Sequence, residues 1–304
     1  MMKQWWRRVC RFWNKPKHAG YLFIAPSCLS LIVFLAFPLF FSLFISFTDL
    51  PLLLNKMNFV GFDNFVRAFN DEYVWGSFKN TLWFFITETP LQVIAGLVVA
   101  ACLTKTDLFT RFMRSVYFIP VICSGASIGI IWSLILDNNI GIIPYYLQKI
   151  FNWETKPEML RDPTWAMFLI SLMTVWKSFG QTMIILVAGL QGISKSYYEA
   201  AEIDGANKVQ QFFKITVPLV IPTLSFCIIT NTTASLQVFD QIYVATRGGP
   251  NFATRSAVMY IYQAAFEKQR LGYASAMAVL LFIIIIAIAG SARAYLNHRE
   301  RKML

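Results

Sequence analysis

Charged residues are scarce in this chain of 304 residues. Lys, Arg, Asp and Glu together make up 14% of it, whereas 57% of the residues are hydrophobic. A soluble domain usually carries about 25% charged residues, because its surface must stay hydrated. The shortage excludes a disordered chain and an ordinary soluble globule, and it indicates a protein that crosses a membrane several times.

Several chemical signatures are also missing. Histidine occurs twice, the five cysteines form no CxxC pair, and no G-x-x-x-x-G-K-[ST] sequence is present. These absences argue against a metal site, an integral-membrane enzyme and a nucleotide-binding chain. The net charge of +11 needs no nucleic acid, because Lys and Arg collect at the cytoplasmic ends of membrane helices. We therefore expect no catalytic residue, no metal, no cofactor and no nucleic-acid partner.

Long apolar stretches dominate what is present. A membrane-spanning helix needs about 20 apolar residues, because lipid offers the backbone no hydrogen-bond partners. The sequence predicts an all-α protein with six such spans, the second interrupted by Glu88 and the fourth by Lys177. The predicted spans are 21–47, 81–104, 115–136, 165–190, 215–239 and 271–292.

The distribution of basic residues predicts the orientation. With the N-terminus in the cytoplasm, 16 Lys and Arg fall in cytoplasmic segments and 10 in external loops. This bias favours cytoplasmic N- and C-termini. We thus expect a cytoplasmic tail at 1–20, a six-span membrane domain at 21–292 and a second cytoplasmic tail at 293–304.

The loop between the fourth and fifth spans has unusually strong helix signals. Ser196 and Glu199 form the S-x-x-E capping-box pattern that starts a helix, and Gly205 suits the left-handed residue that ends one. We expect two short helices with a sharp bend between them. The small residues Ala200 and Ala201 would let another surface approach closely, although an ordinary ordered loop would look the same.

Polar residues inside two spans share helix faces. In the fourth span they recur at spacings of three and four residues, which place them on one face, and in the fifth span two lie four residues apart. Such residues either line a pathway or hydrogen-bond neighbouring helices. They are Thr174, Lys177, Ser178 and Gln181 in the fourth span, and Asn231 and Ser235 in the fifth.

Lys177 is the most informative of these. A cation at membrane depth needs a partner or water. Asp240 and Glu88 are candidate partners, and an anionic substrate, such as a uronate-bearing or phosphorylated sugar, is the alternative.

Several motifs, in order along the chain, resemble the permease subunits of carbohydrate ATP-binding-cassette importers, the maltose and multiple-sugar type. The loop matches the family's EAA signature, with Val217 where leucine is usual. The matching residues of that signature are Glu199, Ala200, Ala201, Gly205, Ile215 and Pro218. Other matches are Phe59 to Phe65, Asn80-Thr81, Arg114 to Pro120, Trp176 to Gly180, Ala188 to Gln191, Thr246 to Pro250 and Gly272 to Ala276.

The resemblance implies a type I importer fold and a mechanism. Loop 193–218 would contact a separate ATPase through Glu199, Ala200, Ala201, Asp204, Gly205, Ile215 and Pro218. The polar residues of the fourth and fifth spans would bind sugar. Partners would be a second homologous permease, two ATPase subunits that bind the ATP, and an extracytoplasmic sugar-binding protein docked on loop 241–270. The assembly would lie in the lipid of the bacterial cytoplasmic membrane. An ion-gradient-driven secondary transporter is the alternative.

Overall fold

The structure, a computed structural model, describes residues 16–53 and 57–303. In these ranges the regular secondary structure is helical, apart from two isolated bridges, Thr48–Phe59 and Pro51–Arg270. The all-α prediction is therefore confirmed. The helices are α1 Pro16–Leu31, α2 Phe37–Ile45, α3 Asp63–Asn70, α4 Glu72–Cys102, α5 Leu108–Ile122, α6 Gly125–Ile135, α7 Ile142–Phe151, α8 Ala166–Gln191, α9 Lys195–Ile203, α10 Lys208–Gln211, α11 Val217–Ser235, α12 Asp240–Ala245, α13 Ala257–Tyr262 and α14 Leu271–Met303.

Five continuous helical segments of the described chain are long and apolar enough to cross a membrane. They correspond to the first, second, fourth, fifth and sixth predicted spans. π-helical turns join α1 to α2 and α10 to α11. The segments are Phe23–Ile45, Glu72–Cys102, Ala166–Gln191, Lys208–Ser235 and Leu271–Leu296.

Residues 1–15 of the N-terminal tail lie outside the described ranges. At the other end, α14 continues as far as Met303, so the segment predicted as a tail is helical.

The third predicted span is not one straight helix. Helices α5 and α6 meet at 96°, and only as a bent pair are they long and apolar enough to form a sixth crossing. The break lies at Cys123 and Ser124, whose ψ angles of 144° and 139° are extended rather than helical. Both residues are uncharged, so the apolar run continues through the bend and its hydropathy does not reveal it.

One compact unit contains the described residues up to 68 together with 264–279. Its organising side chain is Asn64 at the start of α3. Asn64 Nδ2 donates hydrogen bonds to the carbonyl oxygens of Ser46 and Thr48, at 3.0 and 2.8 Å. These bonds fasten the turn after α2 to α3. Gly272 packs on the same turn, where a Cβ atom would lie 1.9 Å from Thr48 O.

The second unit contains residues 69–263 and the remainder of α14. Helix α8 packs along α4 at its centre, and small residues allow the close approach. A Cβ atom at Gly96 of α4 would lie 2.8 Å from Thr182 Cγ2 of α8, and one at Gly189 would lie 2.5 Å from Thr223 Oγ1 of α11. Helices α4, α8 and α11 are therefore held together tightly, and their polar side chains meet.

Candidate functional site

A cavity of about 280 Å³ lies where α4, α8 and α11 meet. All six polar residues singled out in the fourth and fifth spans line it, together with residues from α4, from the segment before α12 and from the first turn of α12. The lining also includes Glu88, Gln92, Gln237, Asp240 and Gln241. The helix-face spacing thus brings the predicted residues to one place.

The polar residues on the α8 side of this cavity differ in exposure. Thr174, Lys177 and Ser178 are half-buried and Gln181 is exposed. Thr174 Oγ1 donates to Ile170 O at 2.8 Å, so its hydroxyl proton is used within its own helix. Within the described chain, no carboxylate oxygen lies within 4.0 Å of the Lys177 ammonium. Lys177 therefore makes no ion pair with either Glu88 or Asp240, the partners considered from the sequence.

The α11 side binds neighbouring helices. Asn231 Nδ2 donates to Thr182 Oγ1 of α8 at 3.0 Å. Ser235 is only 3% exposed; it accepts a hydrogen bond from Thr89 Oγ1 of α4 at 3.0 Å and donates to Thr232 O at 3.1 Å. Both residues thus hold helices together, and a substrate contact for them stays a prediction.

Helix α4 contributes a residue that sequence reasoning missed. Gln92 Nε2 donates to Thr182 Oγ1 at 3.1 Å and to Ser178 O at 3.4 Å. Glu88, one turn earlier and 3% exposed, accepts from Thr89 Oγ1 at 3.2 Å. The four-residue spacing of Glu88 and Gln92 within an apolar span was the available signal, since it places both on one face.

Asp240 lies against the beginning of another helix. A Cβ atom at Gly125, the first residue of α6, would be 3.1 Å from Asp240 Oδ2. The N-terminal end of a helix has unpaired backbone N–H groups and a partial positive charge. The Asp240 carboxylate therefore lies beside the N-terminal end of α6.

The loop predicted to contact an ATPase is a well-formed, exposed structure. Its first helix, α9, begins two residues earlier than the capping-box pattern predicted. The N-cap is Ser194, whose Oγ accepts from Ser196 N at 3.4 Å, and Ser196 itself lies inside the helix. The prediction that Ser196 caps the helix is therefore wrong, because a second serine two positions earlier adopts the extended cap conformation.

The bend after α9 follows the prediction. Asp204 is the C-cap, and Gly205 has φ +77°, the left-handed conformation that glycine accepts without strain. The next helix, α10, then starts from a capping box between Asn207 and Gln210, which sequence reasoning missed. Tyr198 and Thr216 join the two arms by a hydroxyl–hydroxyl hydrogen bond of 2.9 Å.

The surface of this loop combines polar and apolar groups. No residue of α9 is buried, and Ile203 at its end is 88% exposed. Lys208 pairs with Glu202 across the bend, and its hydrogen bond lowers the pKa of the Glu202 carboxyl. Of the other predicted contact residues, Ile215 lies in the π-helical turn Phe212–Thr216, and Pro218 lies in the first turn of α11.

A basic residue of the loop after α12 is buried. Arg255 is only 5% exposed. Its guanidinium carbon lies 4.2–5.0 Å from the ring centroids of Tyr73, Phe252 and Tyr260. Its Nε donates to Ser77 Oγ at 3.1 Å. Arg255 therefore fastens this loop to α4.

The geometry can be compared with known proteins. A family model described as the inner membrane component of binding-protein-dependent transport systems matches residues 92–302. The chain belongs to this family. The matched region of this transport component includes α8, α11 and the cavity between them, and also the loop with α9 and α10.

Two relatives match over almost the whole permease. The Probable ABC transporter permease protein YesP of Bacillus subtilis is 35% identical, and the match covers 95% of this chain and 94% of YesP. The lactose transport system permease protein LacF of Rhizobium radiobacter is 32% identical, over 93% and 95% of the two chains.

A solved structure shares the fold. A chain of a bacterial alginate ABC transporter, in complex with a periplasmic protein bound to an alginate pentasaccharide, superposes with a TM-score of 0.80. The match covers 98% of this chain and 97% of that chain, at 20% identity. This likeness shows a permease fold of the ABC importer type.

Proposed function

We propose that this protein is the membrane permease subunit of an ATP-driven, binding-protein-dependent importer of sugars or oligosaccharides, and that it forms half of the translocation pathway. The observation that carries the proposal is the polar cavity between α4, α8 and α11. Sugars need donors and acceptors for their hydroxyl groups, and such groups converge here within an otherwise apolar bundle. The name of LacF, a lactose permease, supports the sugar class.

The exposed loop is the coupling element in this proposal. A separate ATPase subunit would seat α9 in a cleft, with Glu199, Ala200 and Ala201 at the contact. Ala200 and Ala201 leave room for that surface, and Ile203 offers an apolar group. The chain would bind no ATP and catalyse no reaction of its own.

The proposed assembly has further members. A second, related permease would complete the pathway, two ATPase subunits would supply the ATP hydrolysis, and an extracytoplasmic binding protein would deliver the sugar. The excess of Lys and Arg in one set of loops supports cytoplasmic N- and C-termini. The coupling loop would then face the cytoplasm, where ATP is available.

Co-purification tests the assembly. The protein carries a C-terminal tag, native membranes are solubilised in mild detergent, and the retained chains are identified. We expect an ATPase and a second permease. An Ala201→Trp variant should lose the ATPase and transport while remaining in the membrane, because a large ring on α9 blocks close approach. Recovery of this chain alone, with normal uptake by Ala201→Trp, would refute the proposal and favour an ion-driven carrier.

A further inference from the structure

Lys177 is a cation near the middle of the 26-residue helix α8. Its side chain is half-buried and lines the cavity described above. Placing a charge at this depth in a membrane is costly, and such residues persist where they meet an opposite charge or a water-filled pathway. The question is therefore which negative group Lys177 meets.

The two carboxylates of the cavity have other surroundings. Asp240 lies against the first residue of α6, where the helix end provides positive charge. Glu88 is 3% exposed and accepts a hydrogen bond from Thr89. Neither comes within 4.0 Å of the Lys177 ammonium in the described chain. The ammonium thus faces the cavity without an ionic partner.

The neighbours of Lys177 on its own helix face are uncharged hydrogen-bonding groups. Ser178 and Gln181 lie on this face of α8, and among the described residues neither the Gln181 amide nor the Ser178 hydroxyl makes a hydrogen bond. Asn231 lies on the opposite wall and keeps its side-chain carbonyl for an incoming donor, because its amide nitrogen makes the bond to Thr182. Glu88 and Asp240 also line the cavity, but neither pairs with Lys177 among the described residues, and the groups beside the ammonium on α8 are neutral. This local arrangement matches a molecule with one acidic group and several hydroxyls.

We propose that the sugar carried through this cavity bears a carboxylate, as uronic acids do, and that Lys177 Nζ pairs with it. Ser178, Gln181 and Asn231 bind the hydroxyl groups of the same sugar. This inference rests on the proposed function and narrows its substrate class from sugars in general to acidic sugars. A charge-assisted hydrogen bond is stronger than a neutral one, so the acidic group would dominate selection at this point of the pathway.

Uptake of a matched pair of sugars tests the inference. The complete importer is expressed with its own binding protein, and uptake of labelled digalacturonate and of galactobiose, its neutral counterpart, is measured. We expect uptake of digalacturonate. Lys177→Met should lower it at least about tenfold, and Lys177→Arg should keep most of it, because the positive charge remains. Lys79→Met, an exposed lysine outside the cavity, should leave uptake unchanged.

The other outcomes are distinct. If an ATPase and a second permease co-purify but galactobiose alone, or neither sugar, is imported, the acidic-substrate inference fails and the proposed assembly stands. If no ATPase co-purifies, the proposed function fails. If Lys177→Met loses the second permease on co-purification, Lys177 pairs with a carboxylate of that subunit and the inference is overturned. If the Lys177→Met protein does not reach the membrane, Lys177→Gln is tested in its place. Unchanged digalacturonate uptake by either variant also overturns the inference.

Discussion

Gly205 offers a direct test of how the coupling loop keeps its shape. Its φ of +77° is left-handed, and a Cβ atom there would meet nothing within 4 Å. Replacement by alanine therefore adds no clash with neighbours and costs only the intrinsic strain of the left-handed conformation, about 1–2 kcal/mol. Because no residue of α9 is buried, little packing opposes that strain. A shift of this size lowers the population of the native bend by roughly 5–30-fold.

The order of activities across three substitutions separates backbone strain from side-chain loss. Asparagine tolerates the left-handed region better than alanine, whereas proline is fixed near φ −65° and cannot adopt it. We expect sugar-stimulated ATP hydrolysis and uptake in proteoliposomes to be highest in the parent, lower in Gly205→Asn, lower again in Gly205→Ala and lowest in Gly205→Pro. Membrane levels and thermal stability should stay close to those of the parent.

The matched control is Gly290→Ala. Gly290 lies inside α14 with no positive φ, and a Cβ atom there meets nothing within 4 Å. It should transport normally. The reasoning would be refuted if Gly205→Ala and Gly205→Asn equal the parent, or if Gly205→Pro transports.

Two further substitutions address packing. Arg255→Met should reduce the free energy of unfolding by about 1–3 kcal/mol, and so lower the midpoint of thermal unfolding in detergent, because three cation–π contacts and a buried hydrogen bond are lost. The control, Arg247→Met, changes an exposed residue and should leave the midpoint almost unchanged. Equal midpoints for the two variants would contradict the role of the buried guanidinium. Gly180→Ala should also destabilise the protein by about 1–3 kcal/mol, because its Cβ atom would lie 2.2 Å from Tyr117 O and force α5 away from α8. Gly76→Ala, with open space around it, is the control, and an unchanged midpoint for Gly180→Ala would show that the contact relaxes freely.

Sequence reasoning succeeded where a signal depends on neighbouring residues. Apolar length located the crossings, and the three- and four-residue spacing placed Thr174, Lys177, Ser178 and Gln181 on one face of α8. Gly205 revealed its bend because few other residues accept that backbone conformation.

Sequence reasoning failed where the structure depends on contacts between distant parts of the chain, or on which of two equivalent residues is used. The bend at Cys123 leaves the apolar run uninterrupted. Ser194 and Ser196 are both good caps, and the backbone uses the first. Arg255 is buried against the ring of Tyr73, almost 200 residues away along the chain, and against that of Tyr260, which is near it in sequence. Only the fold brings Tyr73 to this place.

The close contact between Gly180 and Tyr117 has a mechanical consequence. It fixes one point along α8, a stiff rod that ends at Gln191, three residues before the cap of α9. At about 1.5 Å per residue, Gln191 lies roughly 16 Å from that point and Lys177 roughly 4.5 Å on the other side. Because α4 and α11 pack tightly on α8, the three helices would turn about that point together, and the loop end would move three to four times as far as the lysine. A large displacement of the loop would thus become a small displacement inside the cavity.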